Sequence, residues 1–170
     1  GTMATGITQV LCLSNEVSKV NLIARTEEKA LASKSVCAKN ISRLARKGKI
    51  SDEQASSALE KLYCNTELAV VVNSDLIIEA IVEDFTAKMV LFSKLAEFIN
   101  ESVIVASNTS SLSITAFASV LPNPKNVVGL HFFNPAPVME LVEIIVGHET
   151  APVIVNQLQA LTSNLGKVPV

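Results

Sequence analysis

Apolar runs rich in Val and Ile alternate with helix-like segments along most of the 170 residues. Strand-like runs occupy residues 18–24, 75–82, 102–107 and 127–133. Strands that alternate with helices form βαβ units, in which helices cover a mostly parallel sheet on both faces. The sequence therefore predicts an α/β domain with a doubly wound, mostly parallel sheet. The other predicted elements are helices at 2–14, 85–99 and 151–165, a short helix within 108–119, an apolar run at 138–146 and a strand beginning at 167–170.

A helical hairpin is predicted between the first two of these strands. Its first helix runs from Thr26, a typical cap followed by two glutamates, to about Lys47, where Gly48 fits a C-terminal cap. The second helix is predicted over residues 51–62. Apolar residues at helical spacing are expected on the buried face of the first helix, namely Leu31, Val36, Ile41 and Leu44.

Charge and composition argue against several classes of function. The net charge is −2 and like charges form no run, whereas a nucleic-acid or membrane surface needs clustered cations. No apolar run reaches the roughly 18 residues of a membrane span. Cys12, Cys37 and Cys64 are too widely spaced for a disulfide framework or a CxxC pair, which favours reduced structural thiols. Only two histidines are present and no metal-ligand spacing occurs, so we predict no metal site.

Polar clusters follow three of the predicted strands, at the edge where parallel sheets bind ligands. They are EAIVED with Glu83, SNTSS with Ser110, and HFFNP with His131. Glu143 lies in an apolar run, where a carboxylate is expected to be buried beside a partner. Paired with Glu143, His131 would be a general base, although many strand-end histidines only satisfy hydrogen bonds. The serine cluster can equally be a turn or a helix cap, and no GxSxG motif supports a hydrolase.

Three long ordered segments carry a family resemblance, namely EAIVED, ASNTSSLSIT and GLHFFNPAPVMELVE. Over essentially its whole length the chain resembles the NAD-binding domain of the 3-hydroxyacyl-CoA dehydrogenase family, which includes bacterial 3-hydroxybutyryl-CoA dehydrogenases. The resemblance implies a Rossmann-type fold, an NAD cofactor, an acyl-CoA substrate and a role in fatty-acid or butanoate metabolism. It also implies a homodimer for the full-length protein, in the bacterial cytoplasm or, as an open alternative, the mitochondrial matrix.

The same resemblance implies roles for individual residues. His131 would take the proton of the substrate's 3-hydroxyl while C3 gives its hydride to the nicotinamide. Glu143 would orient His131, and Ser110 would bind the substrate oxygen. The implied cofactor contacts are Gly1, Thr2, Met3, Ala24, Arg25, Glu83, Lys88 and Asn108, and the implied substrate contacts are Ser110, Asn134 and Lys47. Lys47 also fits ordinary helix capping.

One departure from the family concerns the cofactor. Relatives usually have an Asp at the end of the strand before Thr26, where it binds the adenosine ribose, whereas this chain has Ala24 and Arg25. Without that carboxylate a 2′-phosphate is not repelled, and Arg25 would attract it, so NADP is a possible cofactor. The alternative is that Arg25 points to solvent and NAD is used.

The other departures concern the ends of the chain. The opening GTMATGI fits a cloning remnant before Met3. In the alternative that the family resemblance implies, it corresponds to the second half of the GxGxxG motif. Gly1 is then the second glycine and Ala4 takes the third position, which implies that a first strand is missing. Members of the family also have a C-terminal helical domain, which residues 1–170 do not contain. These residues alone are therefore expected to be poorly active. A sugar-acid dehydrogenase of the lambda-crystallin type and a non-catalytic nucleotide-binding domain remain alternatives.

Overall fold

The computed structural model describes every residue from Gly1 to Val170, and the chain divides into two compact units. The first unit contains Gly1–Leu68 and Asn134–Val138, and the second contains Ala69–Phe133 and Met139–Val170. Helices and parallel strands alternate through both, which confirms the predicted α/β architecture. None of the helices combines the length and apolar character that crossing a membrane would require.

The first unit is a short parallel sheet packed with three helices. Its elements are α1 (Thr2–Leu13), β1 (Val20–Ile23), α2 (Glu27–Arg46), α3 (Asp52–Glu60) and β2 (Leu62–Asn65). Strands β1 and β2 pair in parallel, with Val20 opposite Leu62. All three cysteines are unpaired thiols; Cys12 and Cys37 lie in the core beside Ile41, and Cys64 packs against it.

Local capping signals set the ends of the helical hairpin. The side chain of Thr26 accepts the N–H of Lys29, and Gly48 adopts a φ of 63°, the left-handed conformation that favours glycine at a helix end. Ser51 and Gln54 exchange hydrogen bonds in a capping box at the start of α3. The two helices therefore begin where the sequence predicted.

The buried face of α2 differs from the prediction. Leu31 and Val36 are 53% and 49% exposed, while Ala30, Cys37 and Ile41 are buried. Of the four predicted residues, Ile41 is fully buried and Leu44 is half-buried, so the prediction is correct for Ile41 and wrong for Leu31 and Val36. Strand β2 was not predicted either, because it has four residues and directly follows α3.

The second unit is a five-stranded sheet in the order β3-β4-β5-β6-β7. Only the β5–β6 pair is antiparallel, which confirms a mostly parallel sheet. The elements are β3 (Leu76–Glu79), α4 (Phe85–Leu95), β4 (Ile104–Ser107), α5 (Ile114–Ala118), β5 (Val127–Phe132), β6 (Leu141–Val146), α6 (Pro152–Asn164) and β7 (Val168–Pro169).

Strand β3 is shorter than the predicted run over 75–82. It ends at Glu79, whose carboxylate accepts the N–H of Ile81 at 2.6 Å and so turns the chain out of the sheet. The Asp84 side chain then caps α4 by accepting the N–H of Ala87. The strand expected before Gly1 lies outside these residues and stays a prediction.

Candidate active site

A histidine and a glutamate are paired across the antiparallel strands β5 and β6. His131 lies directly opposite Glu143, and its Nδ1 is 2.7 Å from Glu143 Oε2. Opposed residues of antiparallel strands project their side chains on the same face of the sheet. The predicted pairing is therefore confirmed. Glu143 is not buried as expected, because its side chain is 44% exposed on this face of β6.

The close approach of the two strands depends on Gly129. A Cβ built at this position would lie 2.8 Å from the Cβ of Ile145, which is its partner in the strand register. Any side chain would push the strands apart two positions before His131. The glycine therefore helps to fix the distance between His131 and Glu143.

The environment of His131 favours one proton arrangement. Its side chain is mostly buried, and its ring lies 4.6 Å from the ring of Phe133, measured between centroids. When Nδ1 carries the hydrogen and donates it to Glu143, Nε2 retains a lone pair that can accept a proton. The pair thus has the geometry of a general base with a carboxylate that orients it.

Asn108 fastens the end of β4 to the histidine strand. Its side-chain Oδ1 accepts the backbone N–H of Phe132 at 2.7 Å, and its backbone N–H donates to the carbonyl of Glu79. This oxygen is therefore engaged, and the carboxamide nitrogen is the group left for a ligand. Asn108 was predicted to lie near a nicotinamide ribose, which stays a prediction.

Glu83 organises the serine-rich loop after β4. Its Oε1 accepts hydrogen bonds from Thr109 Oγ1, from the Ser110 N–H at 3.0 Å and from Ser110 Oγ at 3.3 Å. Burial alone would raise the pKa of Glu83, but these bonds and the charge of Lys88 hold that pKa below its ordinary value. The carboxylate therefore stays ionised near neutral pH and keeps Ser110 in place.

The other serine and threonine side chains of this loop are structural. Thr109 Oγ1 accepts the N–H groups of Ser111 and Leu112, and Ser113 caps α5. This confirms the turn-and-cap interpretation for these members of the cluster.

A buried ion pair lies next to Glu83, between the end of β3 and helix α4. Lys88 is 1% exposed, and its Nζ lies 2.6 and 2.8 Å from the two carboxylate oxygens of Glu79. The ammonium of Lys88 contacts Glu79 in this structure, and the predicted contact of Lys88 with a cofactor stays a prediction. Glu79 was not predicted as a site residue, although an acid inside the apolar run DLIIEAIV was the available signal.

The first turn of α1 is the part of the first unit that suits a dinucleotide. Gly1 is its N-cap, with no side-chain cap and no acidic residue in the first turn, whereas α2, α3 and α4 are each capped by a side chain. Amides at a helix N-terminus attract anions. The donor set of Thr2 and Met3 therefore fits a pyrophosphate.

A cavity of about 360 Å³ lies within the first unit. Gly6 of α1 makes room for one wall, because a Cβ there would lie 3.1 Å from Pro137 Cδ. Asn134, a predicted substrate contact, lies on that wall. The remaining lining residues come from α1, α2 and the segment after β5, namely Thr2, Thr5, Ala32, Ser33, Val36, Asn40, Pro135 and Ala136.

The sequence profile described as "3-hydroxyacyl-CoA dehydrogenase, NAD binding domain" matches residues 1–170. The chain belongs to the 3-hydroxyacyl-CoA dehydrogenase family. It is 40% identical over 171 residues to the 3-hydroxyadipyl-CoA dehydrogenase of Escherichia coli K12, with all of this chain and 35% of the relative covered. It is 40% identical over 173 residues to the 3-hydroxybutyryl-CoA dehydrogenase of Clostridioides difficile, with all of this chain and 60% of the relative covered.

Solved structures agree with this assignment. The crystal structure of 3-hydroxybutyryl-CoA dehydrogenase from Escherichia coli K12 superposes with a TM-score of 0.95 at 38% identity, covering all of this chain and 36% of that one. The Rossmann-type fold is thereby confirmed. This chain spans between 35% and 60% of the length of the two curated relatives.

Three further members of the predicted site, Ala24, Arg25 and Lys47, lie at the end of β1 and at the end of α2. Ala24 extends the β1 ladder by donating its N–H to the carbonyl of Asn65, and it places a methyl group where a ribose-binding acid is expected. Arg25 beside it is exposed. Lys47 is the exposed C-cap residue of α2, and its N–H bonds to carbonyls of that helix.

Proposed function

We propose that this chain is the dinucleotide-binding and proton-transfer part of an enzyme that interconverts (S)-3-hydroxyacyl-CoA and 3-ketoacyl-CoA. The observation that carries the proposal is the contact of 2.7 Å between His131 Nδ1 and Glu143 Oε2 on directly opposed strand positions. Membership of the 3-hydroxyacyl-CoA dehydrogenase family supports the substrate class.

In the proposed reaction His131 is the general base. Nε2 takes the proton of the substrate's 3-hydroxyl during oxidation and returns it to the carbonyl oxygen during reduction. Glu143 holds the ring in the required tautomer, and its negative charge stabilises the imidazolium that forms. The nicotinamide, when bound, supplies the hydride acceptor or donor.

Ser110 is proposed to bind the substrate's C3 oxygen. Its hydroxyl is exposed and belongs to a loop that Glu83 holds by three hydrogen bonds. A hydroxyl in a fixed position favours the orientation of the substrate that hydride transfer needs.

The cofactor is proposed to be NAD, bound through its pyrophosphate by the amides of Thr2 and Met3 beside Gly1. We include NADP as a second cofactor, because Ala24 provides no carboxylate and Arg25 is exposed beside it. Asn108, Glu83 and Lys88 remain proposed contributors on the nicotinamide side.

The substrate's coenzyme A moiety is proposed to reach Lys47, and Asn134 is proposed to contact the substrate. The cavity of the first unit, which Asn134 lines, has room for part of such a ligand. Full activity is proposed to require the helical domain, in a homodimeric protein of the bacterial cytoplasm. Unpaired thiols at all three cysteines fit a reducing compartment.

The test is an assay of the full-length protein with acetoacetyl-CoA and NADH. We expect turnover, and we expect His131→Ala to lower kcat by about 10²- to 10⁴-fold, the usual contribution of a general base. His148→Ala, on an exposed loop residue, is the matched control and should change kcat less than twofold. Turnover of a hydroxy acid without CoA would favour the sugar-acid alternative. NADH binding by fluorescence without any turnover would favour a non-catalytic domain.

A further inference from the structure

Phe133 has no part so far in the proposed reaction, yet its ring packs against His131. The centroids of the two rings are 4.6 Å apart, and the ring planes are inclined at 48°. Phe133 directly follows the last residue of β5, and side chains two positions apart on an extended chain project to the same side. The contact therefore belongs to the same strand that carries the proposed base.

The hydrogen bond between His131 and Glu143 does not fix the imidazole by itself. His131 is the one hydrogen-bond partner of Glu143 in this structure, and the Glu143 side chain is 44% exposed. Exposed pairs are held weakly, because water competes for the carboxylate and holding both side chains costs conformational entropy. The bond therefore directs Nδ1, while the tilt of the ring plane depends on a second contact.

Phe133 provides that second contact. An imidazole that packs against an aromatic ring cannot change its tilt without losing van der Waals contacts. The imidazolium that forms when Nε2 takes a proton is also a cation within about 6 Å of the Phe133 ring, the range in which the π electrons attract it. Phe133 can thus both orient the base and stabilise its protonated form.

We propose that Phe133 is a positioning residue, which fixes the plane of the His131 imidazole so that Nε2 points at the C3 oxygen of the substrate. The catalytic role of His131 rests on the function proposed above. The packing of the two rings does not depend on it.

The experiment compares Phe133→Leu with Phe133→Tyr in the full-length protein. Leucine keeps an apolar side chain without an aromatic face, whereas tyrosine keeps the ring. Phe133 is half-buried, so both variants are expected to fold. Phe98→Leu is the matched control, because Phe98 is also half-buried and contacts no other aromatic ring.

Two kinds of quantity are measured. The first are kcat and KM with acetoacetyl-CoA and NADH. The second is the NMR order parameter of the Cε1–H bond in histidine labelled with carbon-13, with the His131 signal assigned by its absence in His131→Ala. His148, on an exposed loop, is the internal reference and should give the same value in every variant.

We expect Phe133→Leu to lower kcat about 3- to 10-fold, the loss that removal of one aromatic contact causes, while KM for acetoacetyl-CoA stays within about twofold. The order parameter of His131 should fall from about 0.85 to below about 0.6, because the ring can then tilt. Phe133→Tyr should keep the wild-type order parameter and a kcat within about twofold. Phe98→Leu should change none of these values.

An unchanged order parameter of His131 in Phe133→Leu would overturn the proposal. A lower order parameter with an unchanged kcat would also overturn it, since tilting of the ring would then have no consequence. An equal loss of kcat in Phe133→Tyr would contradict the role of the aromatic ring. A higher KM with an unchanged kcat would make Phe133 a substrate contact instead of a positioning residue.

Two provisions keep the test decisive. If the wild-type protein does not turn over acetoacetyl-CoA, the proposed function fails first, and the order parameters alone decide whether Phe133 fixes the ring of His131. If Phe133→Leu does not fold, Phe133→Met takes its place, since methionine is also apolar and has no aromatic face.

Discussion

The second unit contains two acid–base pairs with opposite environments. Glu143 beside His131 is 44% exposed, whereas Glu79 beside Lys88 is 0% exposed. Solvent reaches the first pair through the Glu143 side chain, which suits the proton exchange proposed for it. The second is enclosed, and the Nζ of Lys88 lies 3.3 Å from Oε2 of Glu83. Similar charges are therefore open to solvent in one place and enclosed in the other.

The energetic consequences should differ in the same sense. A charge left alone after its partner is removed is costly when buried and nearly neutral when exposed, since water replaces the lost partner. Mutations in the buried pair are therefore expected to change stability, and mutations in the exposed pair are expected to change activity.

The largest effect is expected from Lys88→Met, which leaves Glu79 as a buried carboxylate without its cation. We expect unfolding to require about 3–5 kcal/mol less free energy, the usual cost of breaking a buried pair. Chemical denaturation of the full-length protein measures this, with Lys94→Met as the control. A loss below about 1 kcal/mol would mean that water or local rearrangement compensates Glu79 for its lost cation. Breaking the buried pair would then lower the free energy of unfolding no more than breaking the exposed pair.

Glu143→Gln tests the exposed pair. The amide oxygen can still accept the hydrogen of Nδ1, but the negative charge that stabilises the imidazolium is gone. We expect kcat with acetoacetyl-CoA to fall about 10- to 100-fold, which corresponds to about 1.4–2.7 kcal/mol of barrier. The free energy of unfolding should change by less than about 0.5 kcal/mol, because the site is exposed. A kcat within twofold of the wild-type value would show that Glu143 only fills its position.

Local signals predicted the parts of the fold that local physics decides. The caps at Thr26 and Ser51 were visible because a side-chain oxygen meets amides three residues away. The exposure of Leu31 and Val36 was not predicted, because the packing of neighbouring elements decides which face of a helix is buried. The four-residue strand β2 likewise exists through its pairing with β1.

The same distinction applies to the candidate site. The His131–Glu143 pair was predicted from a histidine at a strand end and a carboxylate inside an apolar run, and the resemblance then supplied a role for each residue. Glu79 was missed because its partner is nine positions along the chain, across a loop, and only the folded turn after β3 brings Lys88 to it. The contact of Lys88 with a cofactor, which the resemblance implied, stays a prediction.

Ala24→Asp changes the first unit, whereas the proposed proton transfer belongs to the second unit. The substitution is therefore expected to change the choice of cofactor without affecting proton transfer. An aspartate at the end of β1 would accept hydrogen bonds from ribose hydroxyls and repel a 2′-phosphate. We expect the ratio of kcat/KM for NADH over NADPH to rise about tenfold, or about 1.4 kcal/mol. Arg25→Ala should lower kcat/KM for NADPH more than that for NADH. An unchanged ratio in both variants would place the adenosine ribose elsewhere.

The smallest effect concerns acid stability and Glu83, which stands between the two pairs. Its pKa is lower in the folded protein than in the unfolded chain, since the hydrogen bonds from Thr109 and Ser110 and the charge of Lys88 outweigh the effect of burial. The stabilisation is therefore complete above the ordinary glutamate range and is lost as pH falls below about 4.5. Because the side chain is 40% exposed, we expect at most about 1 kcal/mol.

Unfolding curves of wild type and Glu83→Gln between pH 3 and 7 measure this contribution. The variant should be less stable near neutral pH, and the difference should shrink as the wild-type carboxylate takes up a proton. Glu149→Gln, at an exposed loop position, is the control and should give no such convergence. A difference that stays constant down to pH 3 would mean that Glu83 acts through shape alone. The charge of Lys88 would then have no role in holding the loop, and the buried pair would be purely structural.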